Sequence, residues 1–202
     1  MSGFRCRRLR TETRHQKPDT CNVGRYYRQA GQLPQAPMPE PYTKYEPRLH
    51  VVLHQPEIPY NTGSVGRTCV AVGAKLWLVR PLGFRVDDYY LRRAGLDYWE
   101  HLEWQVVDNW DELQSALPAE PEQPRGRRWL FTKKAERSYL DARFQPADVL
   151  VFGSESAGLP DSLLDSHPTD SRLRIPTRAE VRSLNLSNAV AVASYEALRQ
   201  WG

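Results

Sequence analysis

The sequence has only three cysteines and two methionines, and no apolar run near the ~20 residues that a bilayer span requires. Each shortage removes a class of protein. Cys6, Cys21 and Cys69 are odd in number and far apart, so they build neither a disulfide framework nor a zinc pairing, and no metal is expected. Cys69 falls in the apolar run of a predicted helix, where a buried, inert thiol is expected rather than a nucleophile. The start is Arg-rich but has no continuous apolar core or small-residue cleavage site, and Glu12 and Asp19 count against an organelle-targeting peptide. The expected location is therefore the cytoplasm, with no membrane association. The glycine-bearing stretch Asn61-Thr62-Gly63-Ser64-Val65-Gly66-Arg67 matches neither GxGxxG nor a phosphate loop ending in Gly-Lys-Ser/Thr, which argues against nicotinamide chemistry and nucleotide hydrolysis. No internal repeat is visible.

What is present is a chain of 202 residues, 40% apolar and 26% charged, enough for one globular domain with an appendage. Residues 1–48 hold 10 Lys/Arg against 4 Asp/Glu, and the remainder 18 against 20, so a basic arm at +6 precedes a body at −2. The arm carries six of the 16 prolines and no sustained period, and too little apolar surface to offset the entropy of ordering. It is expected to be disordered or extended, and two readings stay open for it: an arm that attracts a polyanion such as RNA, or a solvated tail without a part in recognition. The folded domain is expected from residue 49 to 202.

From Leu49 apolar runs alternate with helical patterns. Strands are predicted at Leu49–His54, Ala74–Arg80, His101–Val107, Trp129–Thr132, Val149–Phe152 and Arg172–Ile175. Helices are predicted at about Thr62–Val72, Asp87–Ala94, Asp108–Leu117, Pro160–Asp165 and over the chain's end, where Ser187 or Asn188 is a candidate cap. In that last helix Leu186, Ala189, Val190, Ala193, Ala197 and Leu198 form the packed stripe, with Glu196, Arg199 and Gln200 assigned to the wet side. The alternation predicts an α/β domain, a mostly parallel sheet flanked by helices on both faces.

Three stretches stand at the carboxyl ends of predicted strands, where open α/β sheets bind ligands. In the first, Asn61 is read as a helix cap, and Gly63 and Gly66 either permit close packing or leave the Arg67 guanidinium accessible to a phosphate or ribose oxygen. In the second, Gly153 to Pro160, Glu155 can accept from ribose hydroxyls or orient an arginine. The third, Ile175 to Asn188, is a polar loop containing Ser183 and Asn185.

These stretches resemble a family. NTGSVGR, VFGSESAGLP and IPTRAEVRSLNLSNAVAV are similar to the three motifs of the SPOUT RNA methyltransferases, over Leu49 to the C-terminus. PEIPYNTG, the PLGF turn, LRRAGLDYW and SLNLSNAV resemble more closely the tRNA (cytidine(34)-2′-O)-methyltransferase subgroup. The resemblance implies a deep C-terminal trefoil knot, a homodimer, S-adenosyl-L-methionine as methyl donor, and transfer to the ribose 2′-hydroxyl of the wobble nucleotide of tRNA, with leucine isoacceptors as candidates. It implies cofactor contacts at Phe131, Thr132, Gly153, Ile175, Ser183 and Leu184, mostly through backbone groups. It implies catalytic positions at Asn61, Arg67, Glu155, Ser183 and Asn185. Arg67, Arg92 and Arg93 are the expected RNA contacts. A methyltransferase acting elsewhere on tRNA or rRNA, and a non-catalytic RNA-binding protein of the same fold, remain open as alternatives.

Overall fold

The computed structural model describes residues 47–85, 98–117 and 126–201. The arm up to residue 46, the helix predicted at Asp87–Ala94 and the contacts predicted at Arg92 and Arg93 lie outside them. The elements run β1 (Leu49–His54), α1 (Pro59–Val72), β2 (Ala74–Val79), β3 (Trp104–Val107), α2 (Trp110–Ala116), β4 (Arg128–Phe131), β5 (Val149–Phe152), α3 (Asp161–Asp165), β6 (Arg172–Leu173) and α4 (Leu186–Trp201). The six strands form one sheet in the order β3-β2-β1-β5-β4-β6, and every neighbouring pair is parallel. The predicted α/β class and parallel sheet are what the structure has.

A parallel sheet is covered on both faces, so its strands are apolar on both sides. β1, LHVVLH, and β5, VLVF, are buried at every residue. Leu49, Val51 and Leu53 point into the layer that holds Val65 and Cys69 of α1 and Val190, Ala193 and Ala197 of α4. Val52 points the other way, into the layer holding Leu113 of α2 and Leu163 and Leu164 of α3. Cys69 is fully buried and burial pushes its thiol well above the usual range, as expected of an inert packing residue. Among the described residues no helix is long and apolar enough to cross a membrane.

Several boundaries differ from the expectation, each for a local reason. Helix α1 begins at Pro59, not near Thr62, because a proline at the first helical position loses an N–H that would have had no partner anyway. Asn61 therefore lies inside the first turn instead of capping it. The strand predicted from His101 shortens to Trp104–Val107, since Trp99–His101 forms a 3-10 turn. The last strand stops at Leu173, and only an isolated bridge, Ser138 to Arg174, extends it, so Ile175 is already outside the ladder.

Helix α4 is capped by Asn185 rather than Ser187 or Asn188: the Ser187 N–H and hydroxyl donate to Asn185 Oδ1 at 2.9 and 2.7 Å. Two residues assigned to its wet side turn inward. Gln200 accepts from the Phe144 N–H at 3.0 Å and donates to the Ala142 carbonyl at 3.1 Å. Glu196 accepts twice from Arg199 and once from Gln200, all at 2.8 Å, and the Arg199 bonds hold its carboxyl down at about 2.

His50 is the second residue of β1 and is buried, and Trp77 Nε1 donates to its Nδ1 at 3.1 Å. Burial, and secondarily the nearby Lys75 charge, lower its pKa from 6.5 to about 4. The unfolded chain takes up a proton near 6.5 that the folded one refuses until about 4. Stability contributed by neutral His50 is therefore present above pH 6.5 and is lost as pH falls toward 4, by on the order of 3 kcal/mol in full. Urea unfolding followed between pH 7 and 4.5, with an NMR titration of the imidazole, checks this. A folded-state His50 that titrates near its ordinary value would contradict it.

Candidate functional site

The strand order turns back between β1 and β5, and the loops leaving those two strands face each other at the carboxyl edge of the sheet. Helix α1 starts there without a capping side chain of its own, since its N-cap is Ile58. The missing acceptor comes from the β5 loop. Glu155 accepts from the backbone N–H of Glu57 at 2.8 Å, from that of Ile58 at 3.3 Å and from Asn61 Nδ2 at 2.9 Å. A carboxylate there satisfies otherwise orphaned donors and opposes the positive end of the helix dipole.

From Asn61 the bonding runs on. Asn185 Nδ2 donates to Asn61 Oδ1 at 3.0 Å, and Asn185 Oδ1 caps α4 through Ser187. Three predicted catalytic residues, Asn61, Glu155 and Asn185, are thus joined in one chain of bonds between the first turns of α1 and α4. Glu155, expected to address ribose hydroxyls or an arginine, directs its bonds in this structure to the start of α1. Ser183, two residues before Asn185 in the same loop, is exposed and stands outside this chain of bonds.

Arg67 lies further along α1, exposed, with its guanidinium carbon 4.7 Å from the centroid of the Tyr98 ring. Tyr98 is itself fixed, its hydroxyl donating to the Gly63 carbonyl at 2.7 Å. Gly66 serves packing rather than clearance for the arginine: a Cβ there would lie 2.9 Å from the Trp99 ring and 3.0 Å from Leu102. A groove of about 420 Å³ opens between the first turns of α1 and α4, lined by Tyr60, Asn61, Ser64 and Thr68 on one side and Asn185, Ser187, Asn188 and Ala191 on the other.

Four of the predicted cofactor positions, Phe131, Thr132, Gly153 and Ile175, lie at the ends of β4, β5 and β6. Phe131 stacks on Phe152, centroids 4.6 Å apart and planes 14° from parallel. The Thr132 N–H is engaged, donating to the Leu173 carbonyl at 2.9 Å, while the Thr132 hydroxyl accepts from the Lys134 N–H at 3.2 Å. Gly153 lies under the returning loop, where a Cβ would come within 2.0 Å of Gly158 and 2.2 Å of Leu159, so only glycine fits. Ile175 is half-buried, and Ser183 and Leu184 are exposed.

One residue here escaped the reading of motifs. Glu57 accepts from the Ser156 N–H at 3.1 Å and from the Ser156 hydroxyl at 2.5 Å, a return tie to the loop whose Glu155 holds Glu57. The only sequence signal was its position between Pro56 and Pro59, which stiffen the segment around it.

Fold and loops together define a doubly wound α/β domain with its polar site at the carboxyl edge of a parallel sheet. The chain belongs to the SpoU rRNA Methylase family, whose model matches residues 48–195. The deep C-terminal knot is implied by that membership. A tRNA (cytidine(34)-2′-O)-methyltransferase of Burkholderia ambifaria is 47% identical over 154 residues, which cover 76% of this chain and 96% of that protein. A solved structure described as "Structural insights into the 2-OH methylation of C/U34 on tRNA" has 47% identity and a TM-score of 0.70, covering 77% of this chain and 97% of its own. The SpoU methyltransferase AviRb from Streptomyces viridochromogenes, in complex with the cofactor AdoMet, has 26% identity and a TM-score of 0.65, covering 77% of this chain and 58% of its own.

The Glu155–Asn61 contact gives a test that reads the site without any ligand. Asn61→Asp sets a second carboxylate 2.9 Å from the first, where the amide had donated. The variant is expected to lose more stability relative to wild type at neutral pH than in acid, because like charges held this close repel. Thermal unfolding at pH 4 and pH 7 checks it: the difference between the two proteins should widen at pH 7.

Proposed function

We propose that this chain transfers a methyl group from S-adenosyl-L-methionine to the ribose 2′-hydroxyl of the wobble nucleotide of tRNA, position 34, a cytidine or modified uridine. The observation that carries the reading is 47% identity to the Burkholderia ambifaria enzyme across 96% of that protein's length, with Asn61, Glu155 and Asn185 drawn together at the sheet edge.

The donor set suits an adenosyl cofactor. Ile175 and Leu184 offer apolar faces beside a loop of exposed backbone, Thr132 leaves a carbonyl lone pair, and Ser183 offers a hydroxyl. Phe131, Thr132, Gly153, Ile175, Ser183 and Leu184 would hold the cofactor, which supplies an electrophilic methyl on a sulfonium. The protein's work is to align the hydroxyl with that methyl and to stabilise the charge that develops on oxygen. Arg67 is our candidate for the second task. With a pKa above ~12 a guanidinium is a poor proton acceptor, so we assign it the grip on a target phosphate, its planar fork steadied by Tyr98. Asn61 and Asn185 set the mouth of the groove, and Glu155 keeps both amides in one orientation.

We read residues 1–48 as a basic arm appended to a methyltransferase domain of 49–202, with a net charge of +6 that adds attraction for RNA to a body at −2.

Purified protein incubated with labelled cofactor, bulk tRNA and rRNA, followed by mass-spectrometric mapping of 2′-O-methyl groups, tests the assignment. Methyl at position 34 is expected; methyl on rRNA alone would move the substrate, and transfer to neither would favour a binding protein. Arg67→Lys keeps the charge but loses the fork, and should cut turnover by roughly a hundredfold or more while cofactor affinity stays as in wild type.

A second copy of the chain is the proposed partner. Tyr60, Val192 and Tyr195 are 69%, 38% and 54% exposed, and the groove between α1 and α4 is lined by no charged residue. An uncharged face of this kind on two adjacent helices fits an interface between copies. Sedimentation at low micromolar concentration should give a dimer; a monomer of full activity would exclude it.

A further inference from the structure

Glu57 lies at the crossing of three loops, and no role falls to it in the reaction described above. On one side its carboxylate takes both donors of Ser156, the N–H at Oε2 and the hydroxyl at Oε1, while its own N–H is held by Glu155. Residues 155 and 156 therefore tie to Glu57 in opposite senses, one as acceptor and one as donor. On the other side the loop after β2 closes on its backbone. The Gly83 N–H donates to the Pro56 carbonyl at 2.9 Å, and a Cβ at Gly83 would lie 2.6 Å from the Glu57 carbonyl oxygen and 2.7 Å from its Cα. Glu57 is exposed, so these bonds persist against water only because both loops are held in register. A carboxylate is the group the geometry asks for. Two donors converge from a single residue, and Gln would turn an NH2 toward one of them, while Asp is a methylene too short to reach both.

We propose that Glu57 is a positioning residue for the methyl transfer. Through Ser156 it fixes the loop from Gly153 to Gly158, so that Glu155 can align Asn61 and Asn185 and the Gly153 rim of the cofactor site keeps its shape. The proposal rests on the methyltransferase reading above. Because Glu57 acts through its partner, its effects and those of Ser156 must overlap. They must also fall on cofactor affinity and turnover rather than on the grip on RNA.

The test uses the full-length chain and the variants Glu57→Gln, Ser156→Ala and their combination. Each is measured for kcat, for KM toward tRNA, for S-adenosyl-L-methionine affinity by calorimetry, and for Tm. Glu57→Gln is expected to lower kcat roughly tenfold and weaken cofactor binding severalfold, as loss of a charge-assisted hydrogen bond at a working loop does. KM for tRNA should not move. Ser156→Ala, which keeps the N–H bond, should give a smaller loss, and the double variant should be no worse than Glu57→Gln alone. Losses that multiply, a change confined to KM for tRNA, or wild-type kcat and cofactor affinity in Glu57→Gln would each overturn the proposal. Should Glu57→Gln fail to fold, the milder Ser156→Ala carries the same comparison: reduced cofactor affinity at unchanged tRNA KM supports the role, and no change refutes it. If the wild-type chain binds the cofactor but methylates no tRNA, the substrate assignment falls while the calorimetric arm still decides the role of Glu57.

Discussion

The Glu155 carboxylate determines how the carboxyl edge of this sheet is arranged. A carboxylate can only accept hydrogen bonds, so the Asn61 side chain must present its NH2 to it and its carbonyl away from it. That carbonyl then calls for a donor, which Asn185 supplies, and the Asn185 carbonyl in turn is left to cap α4. Amide orientations are ordinarily read from the surrounding network, and here one acceptor at the end of the chain fixes both. Two helices far apart in sequence begin in register because a third loop provides a charge. In its absence the Glu57 and Ile58 N–H groups and two amides would lose their common reference, and α1 and α4 would be held together by the apolar layer of Val65, Cys69, Val190 and Ala193 alone.

Much of the fold could be read from the sequence because a sheet covered on both faces writes itself as uninterrupted apolar runs. LHVVLH and VLVF have no polar alternation to confuse with a surface strand, and the glycines and prolines around them mark the turns. Less could be read where local preference met a tertiary demand. His101 looked like the start of a strand because HLEWQVV alternates, yet packing of Trp99 and Leu102 against the bare face of Gly66 draws that segment into a 3-10 turn. Glu196 and Gln200 looked like solvent residues on a helical wheel. Gln200 turns inward because the Phe144 N–H and the Ala142 carbonyl, more than fifty residues earlier, need partners, and Glu196 accepts from the Gln200 amide so placed.

The site divides in the same way. Strand-end position singled out Asn61, Glu155 and Asn185, since polar residues just past an apolar strand must lie at the sheet edge. Their partners could not be read, because the bonds join residues 94 and 124 apart in the chain and leave no periodicity behind. Glu155 drew attention as a carboxylate free for a ligand, and its neighbour in space, Glu57, drew none. Either acid alone resembles an ordinary loop residue. Only when the two loops are brought together does each carboxylate answer the donors of the other loop.

This mutual tie also bears on where a ligand can go. In doubly wound sheets the usual crevice opens where the strand order turns back, here between β1 and β5. In this chain the loops on either side of that crevice are bonded across it, by Glu155 to the 57–58 backbone and by Glu57 to Ser156. The customary entrance is closed by the protein's own side chains. The positions proposed for the cofactor, Phe131, Thr132, Gly153 and Ile175, lie to one side of it, among the loops that leave β4, β5 and β6. The other side of the seal is the groove between α1 and α4, bordered by Asn61 and Asn185. The reciprocal bonds of Glu57 and Glu155 thus hold the loop before α1 and the loop after β5 in one fixed relation, which is the alignment that a transfer at this edge of the sheet depends on.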